Sequence, residues 1–212
     1  MLKIYGRKTS SHVQAVMWAI AEMGLSANRI DVGGSFGGND TSDFLAMNPM
    51  GRVPVLVDGG LKMFESQAIL RYLAARSGKL MPSDPADHAR ADQWMEWAKV
   101  NVYPVLTYKL FWQLVRTSAA DRDRDAVAAG EFEIARLMEM AETQIAQHGW
   151  LAGPEMSLAD ISFGTGLFRY YEVPFKRADF PALKAYYKRL CSRAAYAENV
   201  MISYESLQVP DA

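Results

Sequence analysis

The chain is 212 residues long and 50% hydrophobic, enough to bury a sizeable core in one large domain or two small ones. Its 23 basic and 24 acidic side chains leave a formal net charge of -1, so no overall field draws it to nucleic acid or to an anionic membrane. A single cysteine, Cys191, excludes an internal disulfide, a CxxC redox pair and a cysteine-built zinc site, and three scattered histidines leave no metal site to expect.

No apolar run approaches the roughly 20 residues of a membrane span, and Met1 to Gly6 lacks the apolar core of a signal peptide, so a cytoplasmic protein is expected. Up to about residue 78 short strands alternate with helices. Leu2-Lys3-Ile4-Tyr5 reads as a strand, and Val13, Val16, Met17 and Ile20 form one face of a helix that Gly24 ends. A second strand near Arg29 to Val32 runs into Gly33-Gly34-Ser35-Phe36-Gly37-Gly38, a glycine-rich loop that a short helix over Asp43 to Met47 follows. Val53 to Val57 and Leu61 to Met63 flank Asp58-Gly59-Gly60, a strong hairpin signal. From Glu65 to Ser77 the positions Ala68, Ile69, Tyr72 and Leu73 make a helical stripe, with Gly78 placed to cap it. The predicted order is βαβαββα over residues 1–80.

Two prolines in Leu80-Met81-Pro82-Ser83-Asp84-Pro85 break this pattern, and after them only helical spacing appears, so an all-helical domain is predicted over 86–212. Its first helix starts near Ala86, carries Trp94, Trp97, Ala98 and Asn101, and meets Pro104, which is expected to kink or split it before Leu110-Phe111-Trp112. The alternating charges Asp121 to Asp125 read as a solvated surface, and Glu131 to Gln147 as a further helix buried through Ile134, Leu137, Met138 and Ala141. Ser157-Leu158-Ala159-Asp160-Ile161 fits an N-cap with a reciprocal acid, a folding signal with no catalytic part.

One constellation points to a ligand. In Gly51-Arg52-Val53-Pro54-Val55-Leu56 a proline stands where a strand begins, and in Glu65-Ser66 an acid and a hydroxyl stand where a helix begins. One backbone edge and one helix N-terminus can then face the same short peptide. Taken alone, the proline is an ordinary strand-edge residue and the serine an ordinary cap.

Together these residues resemble the cytosolic glutathione transferase superfamily along nearly the whole chain. Met47-Asn48-Pro49 with Gly51-Arg52-Val53-Pro54 is similar to that family's proline-turn segment, Glu65-Ser66 to its acid-serine pair, and Ser157 to Asp160 to its capping motif. Ser10 at the start of the first helix, with Tyr5 inside the first strand, looks like the serine-dependent bacterial, theta-like and zeta-like members. The resemblance implies a thioredoxin-like N-terminal domain, an all-α C-terminal domain, glutathione as co-substrate and a homodimer. It also implies a cis Val53-Pro54 peptide whose Val53 N–H and C=O pair with the cysteinyl backbone of glutathione.

On that reading Ser66 receives the γ-glutamyl carboxylate and Glu65 answers the α-amino group, while Arg52 is placed to pair with the glycyl carboxylate. In Thr9-Ser10-Ser11-His12, Ser11 and Gln14 fit a capping box, which leaves the Ser10 hydroxyl outside it as the candidate donor to the thiolate, with Ser11 and Thr9 as alternatives. Ser10 would stabilise an anion and attack nothing itself. A pocket for a small apolar electrophile is expected between the domains, walled by the loop with His12 and by Tyr103, Tyr108, Phe111 and Trp112. The implied activity is conjugation of glutathione. A glutathione-dependent isomerase or disulfide reductase, and a non-catalytic glutathione-binding scaffold, stand as alternatives.

Overall fold

A computed structural model describes residues 1–210 and divides the chain into two compact units. The first unit is Met1–Met81 with Ala194–Ile202, and the second is Pro82–Arg193 with the chain from Ser203 onward.

The first unit follows the predicted order. Strands β1 (Leu2–Tyr5), β2 (Ala27–Ile30), β3 (Val55–Asp58) and β4 (Leu61–Phe64) alternate with helices α1 (Ser11–Glu22), α2 (Ser42–Leu45) and α3 (Ser66–Ser77). The sheet order is β2-β1-β3-β4, with β1 parallel to β2 and antiparallel to β3, and β3 antiparallel to β4. This is a thioredoxin-like mixed sheet. Its core is built from Ile4, Val55 and Leu56 of the sheet, Val13, Val16 and Trp18 of α1, and Ile69, Leu70 and Leu73 of α3, all fully buried. Gly78 ends α3 in the left-handed conformation at φ 67°, and its N–H returns to the carbonyl of Ala74.

The expected helical domain over 86–212 is not one compact unit. Helix α9 (Ala194–Asn199) belongs with the first unit, where Tyr196 is fully buried and meets the Trp18 ring edge-on at 4.8 Å. Burying two large rings against each other outweighs the ordering of a short terminal helix.

The second unit is all helical: α4 (Pro85–Trp97), α5 (Trp112–Val115), α6 (Arg124–His148), α7 (Leu158–Glu172) and α8 (Pro181–Cys191). Asp84 caps α4 by accepting from the N–H groups of Ala86 and Asp87, with Pro85 at the first helical position. The helix does not split at Pro104. Between α4 and α5 the chain stays helical but widens into π-type turns over Ala98–Val102 and Val105–Phe111, either side of Pro104 at φ -61° and ψ -42°. Wider turns accommodate a residue that has no N–H and whose ring crowds the preceding turn. Helix α6 starts at Arg124, earlier than predicted, because the charge run supplies its cap: Asp123 accepts from the Ala126 N–H, and Arg122 donates to the Gln113 carbonyl.

The predicted cap at Ser157 forms as a full capping box on α7. Asp160, fully buried, accepts from the Ser157 N–H at 2.8 Å, from the Leu151 N–H at 2.9 Å and from the Tyr186 hydroxyl at 2.9 Å. Burial pushes its carboxyl above the usual range, against the pull of these donors.

Candidate active site

Three loops meet at one end of the sheet. The first, leaving β1, is held by the Gly6 N–H on the Ile30 carbonyl at 2.8 Å and by the Arg7 N–H on the Val32 carbonyl at 3.1 Å. It turns through the Ser10 N–H on the Arg7 carbonyl into α1. Gly6 sits at φ 151°, and a Cβ there would lie 2.5 Å from Cγ2 of Val13 and 3.0 Å from Cβ of Val53. The strand end, α1 and the Val53 turn therefore touch through a residue that has no room for a side chain. Gly6→Ala is expected to cost about 2–3 kcal/mol of stability, since both neighbours must move, and urea unfolding measures it.

The second loop carries Val53. The Val53-Pro54 peptide is cis. The β1–β3 ladder ends at the pair Tyr5 with Val55, so Val53 lies beyond it, with its backbone outside the sheet's own pairing. Asn48, 3% exposed, braces this turn: its Nδ2 donates to the Arg52 carbonyl at 2.6 Å, and its Oδ1 accepts from the Met50 N–H at 3.0 Å. The sequence pointed to Asn48 only as part of a motif; its carboxamide is what fixes the shape of the turn. Arg52 itself extends to the exposed surface.

The third is the start of α3. Glu65 holds the unusual angles φ 67° and ψ 112°, while Ser66 is buried. A non-glycine residue at such angles costs on the order of 1–3 kcal/mol, and such strain collects where a ligand is gripped. The exposed Glu65 side chain makes no cap hydrogen bond. The Ser66 hydroxyl stands 3.4 Å from Nδ1 of His12, so His12, half-buried, is tied to α3.

At α1 the cap register differs by one residue from the sequence reading. Ser10 is the N-cap residue, with φ -80° and ψ 120°, and Ser11 is the first residue of the helix. The capping box of Ser11 and Gln14 does not form, because the Gln14 side chain donates to the Lys8 carbonyl at 3.0 Å and its N–H bonds the Ser10 carbonyl. Yet Ser10 makes no side-chain cap hydrogen bond, so its hydroxyl, on a residue 8% exposed, is not spent on the helix.

The four aromatic candidates belong to the second unit and fare differently. Phe111 is committed to that unit's interior, 1% exposed, with Tyr204 edge-on at 5.4 Å and the Arg169 guanidinium 4.3 Å above its ring. Tyr103 is buried at 8% exposure. Tyr108 and Trp112 are the exposed pair, meeting edge-on at 5.0 Å with Arg116 over the Trp112 ring. Among the described residues no group of three metal-ligating side chains is assembled. Burial pushes the Cys191 thiol up, which suits a resting thiol and not a nucleophile.

Residues 1–75 match the family described as glutathione S-transferase, N-terminal domain, and residues 98–194 match glutathione S-transferase, C-terminal domain. The chain is 34% identical over 206 residues to glutathione S-transferase GstB of Escherichia coli K12, covering 95% of this chain and 99% of that one. It is 31% identical over 207 residues to glutathione S-transferase 3 of Zea mays, covering 94% and 93%. Among solved structures, the theta class glutathione S-transferase from Xanthomonas axonopodis pv. citri with glutathione bound superposes with a TM-score of 0.91 at 40% identity, covering 95% and 98%.

Proposed function

The chain belongs to the glutathione S-transferase family and conjugates glutathione, and from that premise we propose that Ser10 holds the glutathione thiolate while Val53, Glu65 and Ser66 hold the tripeptide. The observation that carries this reading is the buried N-cap Ser10, whose hydroxyl is not used by the helix it starts.

Glutathione has a peptide backbone, a carboxylate at each end and one thiol. The Val53 N–H and C=O, lying outside the sheet's pairing, receive the cysteinyl backbone as a short added strand. The first N–H groups of α3 and the Ser66 hydroxyl receive the γ-glutamyl carboxylate, helped by the positive end of the helix dipole. Glu65 faces the α-amino group, and Arg52, exposed, takes the glycyl carboxylate. The sulfur then lies at the start of α1, where the Ser10 O–H donates to it.

A thiol with a pKa near 8.5 is mostly protonated at pH 7, and lowering it by about two units needs roughly 2.7 kcal/mol of preference for the anion. The helix dipole contributes about 0.3–1 kcal/mol and a hydrogen bond to a charged group about 1.5–3, so the two together suffice. The electrophile is a small apolar molecule, for which Tyr108 and Trp112 offer an exposed aromatic surface. Ultraviolet absorbance of the bound thiolate tests the scheme: a thiol that titrates in the complex as it does free in water refutes it.

The strain at Glu65 gives a second check. Glu65→Gly is expected to leave stability equal or raise it by about 1 kcal/mol, while weakening glutathione binding by about tenfold through loss of the ammonium partner. Calorimetry and thermal unfolding on the same variant separate the two effects.

We propose further that the protein works as a cytoplasmic homodimer in detoxification. The described residues include no helix long and apolar enough to cross a membrane, and Phe132 and Met140 leave exposed apolar surface on α6. Light scattering at the mass of a single chain counts against the dimer.

A further inference from the structure

A side-chain contact between Nδ1 of His12 and Oγ of Ser66, at 3.4 Å, links the starts of α1 and α3. These residues are distant in sequence, and Ser66 is only 3% exposed, so bulk water has little part in orienting its hydroxyl. A serine hydroxyl carries one proton, and the direction of that proton decides which neighbour receives it. If the imidazole accepts, the proton is spent on His12 and a carboxylate at this helix start is left with backbone N–H groups. If the imidazole donates, the Ser66 O–H is released toward the ligand. An anion at the start of α3 selects the second arrangement, because an N–H···O–H···O⁻ chain points both dipoles at the negative charge and each bond polarises the next.

We propose that His12 is a positioning residue for glutathione: with the ligand bound, its Nδ1–H donates to Oγ of Ser66, and the Ser66 O–H donates to the γ-glutamyl carboxylate. This rests on the reading that Glu65 and Ser66 grip that end of the tripeptide. His12 touches no reacting atom. Its effect passes through a single hydroxyl and is the same in the ground state and the transition state, so it falls on KM and leaves kcat in place. At 3.4 Å the contact is at the long end for a hydrogen bond.

The test uses the full chain and the variants His12→Leu, His12→Asn, Ser66→Ala and the double variant His12→Leu/Ser66→Ala. Affinity for glutathione and for S-methylglutathione, which has no thiol to titrate, is measured by calorimetry, with thermal unfolding of each variant alongside. His12→Leu is expected to weaken binding of both ligands by about five- to tenfold, the worth of one neutral hydrogen bond, and to raise KM with kcat unchanged. His12→Asn, whose amide donates from nearly the same place, recovers most of the loss. The double variant binds no more weakly than Ser66→Ala, because without the hydroxyl there is nothing for His12 to aim.

Wild-type affinity in His12→Leu overturns the proposal, as do independent effects that multiply in the double variant, or a His12→Asn no better than His12→Leu. A wild-type protein that fails to bind either ligand overturns the tripeptide site and the relay together; one that binds normally while His12→Leu matches it overturns the relay alone.

Discussion

Ser10→Ala is expected to lower kcat/KM at pH 7 by about 10- to 100-fold, with the chain folded as before. The lost term is one hydrogen bond to a charged sulfur, about 1.5–3 kcal/mol, which corresponds to roughly one to two pKa units of the bound thiol. The sign fixes the pH profile. A bound thiol whose pKa is lowered is thiolate over the range between the lowered and the ordinary value, so wild type and variant differ most near neutral pH. Above the ordinary thiol pKa near 8.5 both hold the anion and the gap narrows. An alanine at an N-cap usually costs about 0.5–2 kcal/mol, but Ser10 makes no cap bond, so its removal leaves the unfolding midpoint nearly in place. Activity lost without stability lost is the signature of a hydroxyl kept for the ligand. Ser11→Ala, in the first turn of the helix, is expected to stay near wild-type activity; if it falls while Ser10→Ala does not, the roles of the two serines are exchanged. Thiolate absorbance and steady-state rates from pH 5 to 9 decide.

That one-residue register at α1 shows where the sequence stops being legible. Thr9, Ser10 and Ser11 are three hydroxyl residues in a row, each acceptable as a cap, and Gln14 fits a box with Ser11 as well as any textual pattern allows. What decides between them is the Lys8 carbonyl, which the loop from β1 presents to the Gln14 amide, and no local pattern reports a carbonyl's direction. The sheet order was legible because hydrophobic period and turn chemistry agree at each step, as in Asp58-Gly59-Gly60 and Gly78. Val53, Glu65 and Ser66, the residues proposed to grip the tripeptide, were singled out by motif spacing. The brace at Asn48, the contact of His12 with Ser66 and the docking of Tyr196 on Trp18 all depend on distant residues meeting, which one sequence does not display. The Asp121–Asp125 run is largely exposed, as its composition implied, but its second role was hidden: a cap and a solvated charge have the same composition, and the Ala126 N–H on Asp123 distinguishes them.

The largest stability effect is expected at Asp160. Asp160→Ala removes the acceptor of four buried donors, the N–H groups of Ser157 and Leu151 and the hydroxyls of Ser157 and Tyr186, which are left without that partner in a site closed to water. One unsatisfied buried donor costs about 1–3 kcal/mol, and breaking a buried polar network about 3–5, so a loss of about 3–5 kcal/mol is expected in urea unfolding. The pH dependence has a definite sign. Burial holds this carboxyl above the usual range, so the folded chain keeps its proton at a pH where the unfolded chain has released it. The contribution of this titration to stability is therefore full below the unfolded pKa near 3.9 and is lost as pH rises through the folded value. Asp160→Asn keeps one carbonyl oxygen for the donors and removes the titration, so its stability is expected to fall between those of wild type and Asp160→Ala and to vary less with pH across that window. A variant as pH-dependent as wild type would assign the slope to other carboxyls. Because Asp160 ties the start of α7 to the Leu151 loop and to Tyr186 of α8, the loss is expected as cooperative unfolding of the helical unit, with glutathione affinity unchanged in the fraction that remains folded.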